Sequence, residues 1–208
     1  MIDDKNDKEK HLIIKMVRLT NFEFRESFQK AFRLWFSRTP TSLPTSDTPV
    51  SKFFKKFQIL LQKVPFSLDF ENYVVKAGIG KGKWAEIPWI GIRNKVNTSN
   101  FLYGLFVVYV LSPDFRRFYL TIIIGVKDKT PEELEYESAK MRIQIKKPEG
   151  FVEGLDGSLT KFPYDNSSAY KYEKAVVYSK RYDLNNLPDE ATFRTDLKNA
   201  LTAHHASI

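Results

Sequence analysis

The sequence predicts an α+β domain, and three observations carry that expectation. Apolar stripes of helical period occupy the beginning and the end of the chain. Two adjoining runs in the middle, 103–111 and 118–126, are apolar on both alternating faces. Proline, glycine and capping residues punctuate the boundaries between them. A hairpin apolar on both faces must be covered on both sides, as in a small barrel or a sheet wrapped by helices.

The chain has 208 residues, 42% of them hydrophobic, which suits one large domain. Residues 1–19 mix charges and lack the apolar core of a secretory signal, so they read as a disordered or extended lead-in, followed by one domain over 20–203 and a tail over 204–208. No run of about eighteen apolar residues occurs, so no membrane span is expected. Zero cysteines exclude disulfides, thiolate zinc sites and a cysteine nucleophile. A cytoplasmic protein is the easier fit. The net charge of +8 and a sequence pI near 9.4 favour a polyanionic partner.

The first helix is announced by Thr20 and Glu23 in capping-box spacing, with Phe24, Phe28, Ala31, Phe32 and Trp35 as its stripe. A Ser/Thr/Pro-rich connection over 39–49 follows. Thr48 caps the second helix and Pro49 takes its first position; Val50, Phe53, Phe54, Phe57, Leu60 and Leu61 point inward, while Lys52, Lys55, Lys56 and Lys63 form a basic outer face of the kind solvation alone explains. Strands are expected at 73–77 and 87–92, before the central hairpin with its turn at Ser112-Pro113-Asp114. Thr130, Pro131 and Glu133 open a third helix with Leu134, Met141 and Ile145 as its stripe. Residues 148–166 read as an irregular excursion, 174–180 as a returning strand, and 188–201 as a last helix with Phe193, Leu197 and Leu201 inward.

The densest chemistry lies in 78–92, where Gly78, Gly80 and Gly82 alternate ahead of Lys83 and two tryptophans follow at Trp84 and Trp89. Alternating glycines allow positive φ and close approach to a phosphate. The same string also reads as a glycine turn leading into a core strand anchored by aromatics. Residues 93–100 are rich in amides, hydroxyls and basic groups, which suit base edges and phosphates, or simply a polar turn.

Taken in order, the string 80–90 with its glycines and Trp-Ala-x-Ile-Pro-Trp-Ile, the runs 103–111 and 119–126, and a Lys180-Arg181-Tyr182 strand end before Leu187-Pro188 and a helix resemble the McrB-like N-terminal domain over about 53–201. The resemblance implies a PUA-like barrel wrapped by helices, related to EVE, YTH and ASCH domains. It also implies a DNA-binding targeting domain that reads modified, for example methylated, bases by base flipping for a McrBC-like GTP-dependent restriction system. The AAA+ GTPase domain of the same polypeptide and a nuclease subunit are the implied partners. No Gly-x-x-x-x-Gly-Lys-Ser/Thr string is present, in keeping with a specificity domain that is not itself an enzyme and needs no cofactor.

On that reading Trp84, Trp89, Tyr103, Asn94, Asn97 and Ser99 are candidates for a base pocket, with Trp84 favoured as a wall and Trp89 open between wall and core anchor. Lys76, Lys81, Lys83, Arg93, Lys95, Arg116 and Arg117 are candidates for phosphate contacts. His11, His204 and His205 fall in expected tails and suggest no metal site. Two other readings stay open: an RNA reader of the same fold, and a protein-interaction module that docks a nuclease partner through its aromatics.

Overall fold

The computed structural model describes residues 24–37, 48–62, 72–80, 82–96, 98–114, 116–160 and 167–206. In chain order the elements are α1 (Phe24–Phe36), α2 (Pro49–Gln62), β1 (Tyr73–Gly80), β2 (Trp84–Asn94), β3 (Leu105–Leu111), β4 (Arg117–Ile124), α3 (Pro131–Gln144), β5 (Val152–Glu153), α4 (Ser168–Ala175), β6 (Val176–Asp183) and α5 (Glu190–His205). The strands form one antiparallel sheet in the order β1-β2-β3-β4-β6-β5.

Register explains the doubly apolar centre. Val107, Tyr109 and Leu111 pair with Ile122, Leu120 and Phe118 on one face, and Phe106, Val108 and Val110 pair with Ile123, Thr121 and Tyr119 on the other. The first face lies under α1, α2 and α5. Phe28 of α1 stacks on Phe118 at 4.8 Å, and Phe193 of α5 meets Tyr182 at 5.0 Å. On the second face Phe101 and Tyr172 of α4 cover Val108, Val110 and Ile123. Arg142 of α3 donates to the carbonyls of Val176 and Val177, tying that helix to β6.

The caps expected for α2 and α3 are present. Thr48 Oγ1 accepts from the Ser51 amide, and Thr130 with Glu133 forms a reciprocal capping box. The Thr20 and Glu23 cap lies outside the described residues, as do Lys63, Lys81 and Asn97.

Four expectations are corrected. The barrel implied by the resemblance does not close among the described residues, because β1 and the two-residue β5 remain sheet edges. The β1 edge is covered instead: Gln62 of α2 donates to the Tyr73 carbonyl at 2.7 Å and accepts from the Val75 amide at 2.6 Å, and Gln58 accepts from the Ala77 amide at 3.1 Å. The residues read as the start of the returning strand belong to α4, capped by Ser167, so β6 begins only at Val176. The excursion over 148–166 holds the short strand β5. The last helix continues to His205, where an unstructured tail was expected, and His204 is fully buried with Nε2 2.9 Å from the Leu105 carbonyl oxygen.

Candidate nucleic-acid interface

The glycine string is a strand hairpin rather than a free loop. β1 extends to Gly80 and β2 begins at Trp84, with a register slip between Gly78 and Gly80. Gly80 (φ +110°) and Gly82 (φ +75°) adopt the left-handed backbone the reversal requires. Gly78 has a different task. It pairs with Trp89, and a Cβ there would lie 2.0 Å from the indole, so the ring rests directly on the glycine backbone. On the neighbouring pair Gly91 leaves room for Phe101, whose ring centroid is 5.4 Å from that of Trp89. The glycines that suggested phosphate binding are thus explained by the turn and by the seat of an aromatic cluster.

Trp84 opens β2 on the helix-covered face and meets the buried Trp35 of α1 edge-on at 5.3 Å. Both tryptophans are half-buried. They share one cleft of about 310 Å³ between the β1–β2 hairpin and α4, lined by Lys83, Trp84, Glu86, Ile87, Trp89 and Tyr172 among others. A larger groove of about 580 Å³ runs between α3 and the ends of β3 and β4. Its rim mixes Lys129, Glu133, Glu137 and Lys140, and Lys129 pairs with Glu137 inside it. Both sites mix charges, Lys83 with Glu86 in the cleft, but only the hairpin cleft is lined by tryptophans on which a base can stack, so it is the better candidate.

The other expected pocket residues do not reach that cleft. β2 is eleven residues long, so its two ends lie about 33 Å apart at about 3.3 Å per residue. Trp84 stands at one end; Asn94, Ser99 and Tyr103 stand at the other. Asn94 is buried and its Oδ1 accepts from the Val96 amide, which is a turn-making role. Ser99 is exposed and accepts from the Asn100 side chain. The Tyr103 hydroxyl donates to Asp128 at 2.8 Å, with the Lys127 ammonium 5.6 Å from its ring centre. A single pocket of Trp84, Asn94, Ser99 and Tyr103 is therefore excluded by strand length.

The basic candidates divide in the same way. Lys83 is exposed at the cleft, and Lys76 is exposed on the same sheet face as Trp89, paired across the ladder with Gly91. Arg93 is committed to the loop: its guanidinium donates to the Thr98 carbonyl and lies 5.6 Å from the Phe101 ring centre. Lys95 is exposed at the far end. Arg117 faces Asp183 at 3.7 Å and Asp114 at 3.9 Å, so part of its charge is offset, while Arg116 is exposed beside it in the β3–β4 turn. Tyr172, Glu86 and Phe101 were missed as site residues by sequence reasoning. Their only signal was their residue type, since α4 is too short to show a helical period.

The profile of the MrcB-like, N-terminal domain family matches residues 35–207. The chain belongs to this family. The match covers the sheet, the cleft and every helix after α1, so the hairpin carrying Trp84 and Trp89 is part of the family's domain. No curated protein matches the chain.

Proposed function

We propose that this McrB-like domain is the DNA-targeting module of a McrB-type restriction system and reads a modified base extruded from the duplex, within a fold related to the PUA-like group. The observation that supports this most is the hairpin cleft, which Trp84, Trp89 and Tyr172 line beside Lys83. Extruding a base costs a few kcal/mol, and a pocket offsets that by stacking and by hydrogen bonds to the base edge. Stacking on an aromatic ring contributes about 1–3 kcal/mol per base. The Glu86 carboxylate at the cleft is an acceptor for an exocyclic amino group. Lys83 and Lys76 supply the cations that position the backbone. On this reading the GTPase motor and the nuclease reside in other domains or subunits, and this domain performs no chemistry.

The test is a binding panel of matched oligonucleotides, unmodified, methylated on adenine, and methylated or hydroxymethylated on cytosine, each as DNA and as RNA, at several salt concentrations. The expected result is a preference for one modified DNA and an affinity that falls steeply with salt, the slope growing by about 0.9 for each phosphate contact. Trp84→Ala should remove most of the preference for the modified base. Affinity that ignores both salt and modification overturns the proposal, and a preference for RNA transfers the cleft to an RNA reader.

A further inference from the structure

Seven large apolar side chains are exposed among the described residues, and three of them, Val96 (75%), Leu102 (46%) and Tyr103 (42%), sit in the one connection between β2 and β3. This connection is not loosely held. Asn94 Oδ1 accepts from the Val96 amide and Asn100 Oδ1 from the Leu102 amide, both at 2.8 Å. Thr98 Oγ1 reaches the carbonyls of Asn100 and Tyr103. The Lys127 amide donates to the Leu102 carbonyl, and a Cβ on Gly125 would lie 2.2 Å from that oxygen, so the loop is pressed against the end of β4. Many polar contacts thus hold Val96 and Leu102 in water, beside a Tyr103 whose hydroxyl and ring are taken up by Asp128 and Lys127, and a rigidly held apolar pair of this kind is suited to a partner.

We infer that this loop is a second duplex-DNA contact, within one helical turn of the cleft, in which Val96 and Leu102 enter a groove while Lys95 and Lys127 hold the phosphates beside it. The inference rests on the DNA reading of the cleft. Charge selects the occupant: Lys95 and Lys127 flank the loop, Asp128 beside Lys127 is held by the Tyr103 hydroxyl, and the surplus is positive in a chain of net charge +8. Spacing suits a single duplex. The cleft runs along β2 from Trp84 to Trp89, so its walls lie five to ten residues from the loop, about 16–33 Å at about 3.3 Å per residue, within the repeat of about 34 Å of a duplex. Lys76 of β1, paired with Gly91 of β2, is exposed between cleft and loop and offers one further cation to the backbone. Apolar side chains at a groove are a known means of holding or bending a duplex.

The experiment compares the parent with Val96→Ser/Leu102→Ser on modified duplexes of about 6 and about 16 base pairs, since only the longer exceeds one turn of about 10. Both replaced side chains are exposed, and melting of the variant checks that the fold is kept. The parent should bind the longer duplex roughly tenfold or more tightly than the shorter. The variant should lose that gain and bind the short duplex as the parent does. A variant that keeps the full gain on the long duplex overturns the second contact while leaving the cleft intact. A parent that binds neither duplex overturns the DNA reading itself. Loss of self-association in sedimentation without loss of DNA affinity would assign the patch to a second copy of the chain, which also overturns the proposal.

Discussion

Gly78 is the residue on which the cleft turns, because its missing side chain is occupied by the ring of Trp89. Gly78→Ala must push the indole off its seat or shift β1. Overpacking of this kind costs about 1–3 kcal/mol, so melting should fall and tryptophan emission should move as the ring becomes more exposed. Gly82→Ala supplies the control. Nothing lies within 4 Å of a Cβ there, and only its φ of +75° opposes a side chain. That strain costs about 1–2 kcal/mol and should leave the emission unchanged. A Gly78→Ala protein with parental melting and emission would show that Trp89 is free to move, and with it that the cleft has no fixed wall.

Among the elements, β1 depends on α2 for more than apolar cover. An edge strand with unmet N–H and C=O groups invites another chain to pair with it, and here Gln62 meets two of those groups and Gln58 a third. Gln62→Leu keeps the side-chain volume but strands both groups; at about 0.5–1.5 kcal/mol per bond the loss should reach about 1–3 kcal/mol. Gln58→Leu should cost about half as much, and both variants should aggregate sooner on heating. Thermal melting with light scattering checks this, and equal, negligible losses would mean that water satisfies the edge equally well. The helix itself was legible in the sequence from its cap and apolar period, but the glutamines were not, since their partners lie 11 to 19 positions away and the pairing exists only after docking. The same limit applied to the site. Trp84 and Trp89 were readable as a pair, whereas Asn94, Ser99 and Tyr103 are close in sequence and far in space because β2 is extended throughout. The short α4 was missed for want of length, and with it Tyr172.

For the molecule as a whole, the two ends of the pH range are set by buried groups that link α5 to the sheet. His204, packed between Leu105 and Tyr73 and next to His205, has its pKa lowered from 6.5, chiefly because burial penalises the imidazolium; the neighbouring His205 adds to this and the Leu105 carbonyl opposes it. The unfolded chain therefore binds the proton first, and stability present above about pH 6.5 is lost as pH falls toward the lowered folded value. On the alkaline side burial raises Tyr109 and Tyr182 above 10.0, with the negative charge of Asp196 acting in the same direction on both. There the unfolded chain releases protons first, so stability falls as pH rises beyond about 10. Asp196 is the common anchor, accepting from the Tyr182 hydroxyl at 2.8 Å and from Lys180 at 2.5 Å. Melting temperature should thus be flat across the neutral to mildly alkaline range and decline at either side. His204→Gln retains a donor for the Leu105 carbonyl but cannot titrate, so it should remove much of the decline between pH 6.5 and 5 while leaving the alkaline limb in place. Carboxylates held low by their partners, such as Asp114 with Ser112, Arg116 and Arg117, lose their contribution only below about pH 5. A decline between pH 6.5 and 5 that persists unchanged in this variant would exclude His204 as its source. In that case His204 does not couple α5 to β3 through its protonation.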